Sequence, residues 1–348
     1  MARRRARKKR NDFNVMAVRR RKFISLLGGA AAAVVLGPLD ARAQPPSKPR
    51  RIGILAPGPA GGEPTSVFQA FLRGMRELGW AEGQNLAIEW RFVEPSYERL
   101  PALAAELVAA PVDLIVASTA VPARAAKEAT GTIPVVFIQV PDPVALGIVT
   151  NLARPGTNVT GLSSIASDLT GKRLALVKEI LPDAMNIAVL WNRPSEGSAL
   201  VFHEMKRIKG QVGLELEDVG VSDARELQEA FASAARARVA AVMVIDDPVM
   251  TSRRGKVVQL AGEHALPVFS QYSEYVDDGG LISYGPSLTA IYRRGAIYVD
   301  RILKGAKPGE LPVEPPVVFE MVINLRTAKA LGLELAPTLV ARADRVIE

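Results

Sequence analysis

The sequence predicts an α/β fold of two lobes, each a parallel sheet covered by helices. Short runs rich in Val and Ile alternate with longer amphipathic stretches, the pattern of βαβ units. Most of these runs lack polar alternation, as strands buried on both faces should. The chain of 348 residues also exceeds what one hydrophobic core usually supports, even after a leader of 43 residues is set aside.

The elements follow in order. A strand over residues 51–56 leads to a helix over 65–78, which Gly79 should stop. A strand over 86–92 precedes a helix over 97–109, and strands over 114–117 and 135–138 complete the first half. In the second half, strands over 186–191, 215–219, 241–245 and 267–270 interleave with helices over 168–181, 198–212, 223–236 and 252–265. Gly213 follows the second of those helices as Gly79 follows the first one. Asp223, with Glu226 three residues on, has the spacing of a capping box. Candidate crossings between lobes are the loop 153–158, the stretches 305–309 and 311–316, and Gly279-Gly280 before residues 281–284. No period of 20–50 residues occurs, which excludes a solenoid.

The leader decides how the charge is read. Residues 2–10 and 19–22 are strongly basic, Arg20-Arg21-Lys22-Phe23-Ile24 is a twin-arginine pattern, and a weakly apolar run follows over 24–39. Ala41-Arg42-Ala43 then supplies the small residues a signal peptidase reads. We expect export, by the twin-arginine or the general route, with cleavage near Ala43 and a soluble periplasmic product; Met16 offers a second start. The chain carries 44 Lys and Arg against 36 Asp and Glu, a net +8. Residues 1–43 hold 12 against 2, so the remainder holds 32 against 34, a net −2. The basic character belongs to the leader, and no nucleic-acid partner is expected. The apolar run is 16 residues with three glycines and a proline, short of the ~20 a membrane span needs. There is no cysteine, which excludes disulfides, thiolate metal sites and an N-terminal lipid anchor.

Enzyme signatures are missing. His203 and His264 sit in helical patterns with nothing at metal spacing, so each reads as a solvated helix residue. Thr170-Gly171-Lys172-Arg173 lacks the upstream glycine and following Ser/Thr of a phosphate loop and reads as a first helical turn. Gly58-Pro59-Ala60-Gly61-Gly62 follows the first strand but does not match G-x-G-x-x-G. No cofactor and no metal site are expected.

What remains is a set of small and polar residues at strand carboxyl ends, where open α/β sheets bind ligands. They are Pro57, Ser118, Thr119, Gln139, Asp142, Asn192, Asp246, Asp247 and Ser270. Ser118 and Thr119 precede a helix whose first-turn amides are free, a setting that can hold a carboxylate. Each such residue could equally cap the following helix. Asp246-Asp247 stands out, since two adjacent acids at a strand end are costly unless a cation such as a ligand ammonium meets one.

Several phrases resemble a family of exported solute-binding proteins of ABC-type importers, whose members include tryptophan- and tyrosine-binding proteins. They are the leader Arg20-Arg21-Lys22-Phe23-Ile24-Ser25-Leu26-Leu27-Gly28-Gly29-Ala30-Ala31-Ala32, Gly161-Leu162-Ser163, Gly171-Lys172-Arg173-Leu174 and Ala188-Val189-Leu190-Trp191-Asn192. Leu281-Ile282-Ser283-Tyr284-Gly285-Pro286 and Val322-Ile323-Asn324-Leu325-Arg326-Thr327-Ala328-Lys329-Ala330-Leu331-Gly332 complete the likeness, which spans essentially the whole chain. The resemblance implies a type I periplasmic-binding-protein fold, two Rossmann-like lobes joined by a three-crossover hinge around a ligand cleft. It implies one lobe of residues 49–162 plus 284–311 and another of 163–283 plus 312–348. It gives Ser118 and Thr119 the ligand carboxylate, and Asp246 or Asp247 its ammonium. Aromatic rings often stack on such ligands, and the cleft positions are expected to offer few beyond Tyr272 and Tyr284.

The functional expectation is a non-catalytic, monomeric binding protein that hands a small polar solute, an amino acid or related carboxylate, to a membrane permease. A ligand-sensing partner of a membrane kinase is the alternative; an exported α/β hydrolase or dehydrogenase is a third reading, without a triad or fingerprint to support it.

Overall fold

The structure is a computed structural model, and it describes residues 48–58, 64–93, 97–165 and 169–348. The leader, residues 59–62 of the glycine-rich stretch and Asp168 at the expected start of a helix lie outside the described residues.

The first sheet is parallel throughout, with strand order β2-β1-β3-β4-β5. Its strands are β1 (Arg50–Pro57), β2 (Leu86–Val93), β3 (Leu114–Ser118), β4 (Val135–Val140) and β5 (Val159–Ser163). Helices α2 (Leu100–Ala109) and α3 (Ala120–Ala129) cover one face, where Leu103, Leu107 and Ala123 pack on Leu55, Ile115 and Phe137. Helix α1 (Ser66–Glu77) covers the other face, where Phe68, Phe71 and Met75 meet Ile52, Ile54 and Val116. These side chains are almost entirely buried, which at roughly 25 cal/mol per Å² of apolar surface is what holds the lobe together.

The second sheet has the order β12-β11-β10-β9-β8-β6-β7. Its first four strands in sequence are β6 (Asn186–Leu190), β7 (Glu215–Asp218), β8 (Val242–Val244) and β9 (Val268–Ser270). The others are β10 (Ile282–Pro286), β11 (Phe319–Asn324) and β12 (Arg345–Ile347). Helices α4 (Thr170–Ile180) and α5 (Glu196–Ile208) pack on one face, α6 (Leu227–Arg236) and α8 (Arg254–Glu263) on the other. Two short helices, α7 (Pro248–Ser252) and α9 (Glu274–Asp277), follow β8 and β9 directly. Helix α10 (Leu288–Leu303) returns to the first sheet beside α1. Helices α11 (Leu325–Ala330) and α12 (Pro337–Val340) close the chain.

All eight expected strands form. The sheet is not purely parallel, however: β11 runs antiparallel to β10. Topology compels this. The chain leaves β10 at Pro286 for α10 in the other lobe and comes back at the same end, where Phe319 pairs with Pro286. The chain crosses after Ser163, after Pro286 and after Glu314, whose amide still bonds Gly161 of the first sheet at 3.2 Å. Loop 153–158 is no crossing, since Gly156 donates to Gly309 within the first lobe, and Gly279-Gly280 turns the chain between α9 and β10.

Asp223 does cap, but it caps the single 3-10 turn Ala224–Glu226, not α6. Its Oδ1 accepts from the Arg225 amide at 2.8 Å, while Glu226 reaches back to the Ser222 amide at 3.0 Å.

Candidate functional site

The carboxyl ends of β1, β3 and β4 face those of β7 and β8 across a cavity of about 390 Å³. Pro57, Ser118, Thr119 and Gln139 line it from the first lobe; Asp246, Pro248, Arg254 and Glu274 line it from the second. A ligand there touches strand ends and helix starts, which supply aligned amides and short polar side chains.

Thr119 is the most unusual residue of the site. Its φ is 71°, a conformation that a β-branched residue rarely adopts. Its amide donates back to Ile138 at 2.8 Å, and it occupies the position before α3. The side chain caps nothing: the residue lines the cavity, and its Oγ1 is buried without a hydrogen-bond partner. Pro122 lacks an N–H, so the open donors of this turn are Ala120 and Val121. Gln139 is a second left-handed residue, at φ 66°, where the register of β4 against β5 shifts. Two such residues on adjacent strand ends store strain where a ligand would sit.

Ser118 plays a different part. Its Oγ contacts the Tyr292 hydroxyl, and Tyr292 donates to Gln139 Oε1 at 3.1 Å. Burial pushes the Tyr292 phenol above its ordinary value, so it keeps its proton. A phenol has one hydrogen, so its oxygen accepts from Ser118. Of the expected pair, Thr119 holds the free donor and Ser118 fixes Tyr292.

The two acids also separate. Asp247 is 5 % exposed and saturated: Oδ1 accepts from the Val249 and Met250 amides at 2.9 and 3.0 Å, capping α7. Its Oδ2 accepts from Asn192 Nδ2 at 2.5 Å and from the Tyr97 hydroxyl, across the cleft, at 3.3 Å. Asp246 accepts from Thr251 Oγ1 and lines the cavity. Burial, then the neighbouring Asp247 and Glu274, hold its carboxyl well above the ordinary range. Glu274 is raised as well, by burial first.

Five expected residues do not line this cavity: Asp247, spent on the bonds just described, and four more. Asp142 closes a turn through the amides of Val144 and Ala145, at 3.1 and 2.9 Å. Asn192 supports Asp247. The Ser270 hydroxyl donates to the Tyr272 carbonyl at 3.0 Å. Tyr284 sits in β10 opposite Met321, with Lys172 Nζ 6.0 Å from its ring centre.

Aromatic lining is richer than the strand ends suggested. Phe68, Tyr97 and Tyr292 line the cavity, and Phe68 meets Tyr292 edge to face at 5.1 Å and Trp90 at 5.3 Å. These rings come from α1, from the turn before α2 and from α10. Their helical spacing reads as core, and only the assembled lobe shows that one edge of that core is open. Among the described residues, no helix is long and apolar enough to cross a membrane.

Comparison with known proteins follows the same lines. A tyrosine-binding protein of Clostridioides difficile is 28% identical over 267 residues, 76% of this chain and 76% of that protein. A conserved domain protein of Vibrio cholerae superposes with a TM-score of 0.79 at 28% identity, covering 86% of this chain and all of that one. A Streptococcus pneumoniae protein solved in complex with L-Trp superposes at 0.77 and 24% identity over the same shares, which shows the fold. The two-lobed fold is that of the type I periplasmic binding proteins. The model of the ABC transporter substrate binding protein family matches residues 64–347, and the chain belongs to that family.

Proposed function

We propose that this protein captures an amino acid, or a related small carboxylate, between its lobes and presents it to the membrane permease of an importer. One observation carries the reading: a buried, unpartnered Thr119 hydroxyl beside open helix amides faces a cavity that Asp246 lines from the other lobe. Donors on one wall and a carboxylate on the other suit the two charges of a zwitterion. The aromatic lining from Phe68, Tyr97 and Tyr292 suits a ring beyond them. The tyrosine-binding relative and the L-Trp complex support the same class.

The bodies that close are residues 49–162 with 284–311 and residues 163–283 with 312–348, to within the few residues by which the crossings differ. Bending at the three crossings would then bury the ligand. The leader directs export, and Lys in place of both Arg20 and Arg21 should leave precursor in the cytoplasm. Unchanged accumulation outside would assign the general secretion route.

Thermal shift of the mature protein against amino acids and simple carboxylates tests the ligand class. A rise in Tm with L-tyrosine or L-tryptophan is expected, because a ligand that binds only the folded state stabilises it. No shift with any member of the panel overturns the reading.

A further inference from the structure

The main cavity adjoins a chamber of about 30 Å³, with Tyr97, Thr119, Gln139, Asp246 and Pro248 lining both. Asp247, whose oxygens are already taken by four donors, lines the chamber as well. We propose that the ligand's carboxylate is held in this chamber from both lobes at once, by Thr119 of the first and Ser198 of the second. The inference rests on the amino-acid reading above and goes further in naming what joins the lobes.

Two helices start at the chamber, α3 with ten residues and α5 with 13. Ser195 caps α5 by accepting from the Ser198 amide at 3.3 Å, which leaves the Glu196 and Gly197 amides without an intrahelical acceptor. The α5 terminus is therefore a second positive end facing the first, and an anion between them meets both. Glu196, the acid in that first turn, is turned instead to an ion pair with Arg124 of the other lobe.

The hydroxyls make the site specific. Ser198 is 2 % exposed and lines the chamber, and neither its Oγ nor Thr119 Oγ1 has a hydrogen-bond partner. Buried hydroxyls are otherwise almost always paired, so two facing one chamber mark where an acceptor belongs. Gly197 lets the lobes meet here. A Cβ on it would lie 3.3 Å from Pro141 Cγ and 3.7 Å from the Ala120 Cβ, so a larger residue would crowd the α5 terminus against the first lobe. The chamber suits a group of a few atoms, whereas a ring needs the main cavity. The carboxylate thus becomes the group that ties the lobes together, and its loss should cost affinity even when the ring still fits.

Affinity of the mature protein for L-tyrosine and L-tryptophan, each against its amide, tests this in wild type and Ser198→Ala. The wild type should prefer the acid over the amide by at least about tenfold, and Ser198→Ala should lose most of that preference while binding the amide as before. Because Ser198 Oγ has no partner, the variant should fold and melt like the wild type without ligand. An undiminished preference in Ser198→Ala, or equal loss of acid and amide, overturns the inference and leaves amino-acid capture standing. Failure of the wild type to bind any of the four compounds overturns the inference, and failure with every amino acid and carboxylate of the thermal-shift panel overturns both.

Discussion

The two walls of the cleft are built from the same kind of position, the carboxyl end of a parallel strand, yet they carry opposite chemistry. The first wall offers donors: the Thr119 hydroxyl and the start of α3 lie beside aromatic rings, on a backbone held left-handed at Thr119 and Gln139. The second adds what the first lacks, the acids Asp246 and Glu274, whose carboxyls burial holds above the ordinary range, with Arg254 beside them. Each wall carries its own local cost, strain on one side and desolvation on the other. On the proposed reading, a ligand ammonium would offset the desolvation of the acids, while the backbone strain stays as part of the built site.

The sharpest way to break this comparison is at Asp247, which belongs to the second wall by sequence but not by bonding. Asp247→Ala should remove the α7 cap and strand Asn192, costing about 3 kcal/mol in denaturant unfolding. Stability unchanged with affinity lost would make Asp247, not Asp246, the residue that meets the ligand. Asp246→Asn should do the reverse. Affinity for an amino acid should fall by ~1.5–3 kcal/mol in calorimetry, roughly ten- to a hundredfold. The ligand-free protein should melt no lower, because an amide has no charged form for burial to penalise. A lower melting point with normal affinity would end the assignment.

Thr119→Ala probes the donor wall with a smaller effect. Affinity should weaken by about 1–1.5 kcal/mol while stability stays within ~0.5 kcal/mol, since the hydroxyl caps nothing. Loss of ~1 kcal/mol of stability with affinity untouched would make it a cap after all. The smallest effect is with pH. Asp246, Asp247 and Glu274 are all raised, so the folded chain binds protons more readily than the unfolded one. Their contribution to ligand-free stability therefore declines as pH rises from the ordinary carboxylate range through the raised values. Affinity should run the other way over that window, because an ammonium needs Asp246 ionised. Affinity flat across it in the wild type would detach Asp246 from the ligand.

Much of the fold was legible because buried parallel strands announce themselves as Val- and Ile-rich runs, and eight were found to within a few residues. The strands that escaped had local reasons. β5 is five residues with a glycine at its centre, and β12 has three residues. β10 and β11 depend on each other for pairing across a sequence gap that holds all of α10. In the site, Thr119 and Asp246 could be read because their position after a strand already places them at the crevice.

The chain by itself determined the alternation of strands and helices, the acidic balance after the leader, and which strand ends carry hydroxyls, amides and acids. Those follow from local pattern and composition. Only the tertiary structure decided which of two neighbouring carboxylates is spent on a helix cap, which of two neighbouring hydroxyls keeps a free proton, and which rings border the cleft. Those outcomes rest on contacts such as Tyr97 with Asp247 and Tyr292 with Gln139, 150 and 153 residues apart in sequence. Hydrogen-bond capacity is finite, and how a side chain's capacity is shared depends on partners that only folding brings near.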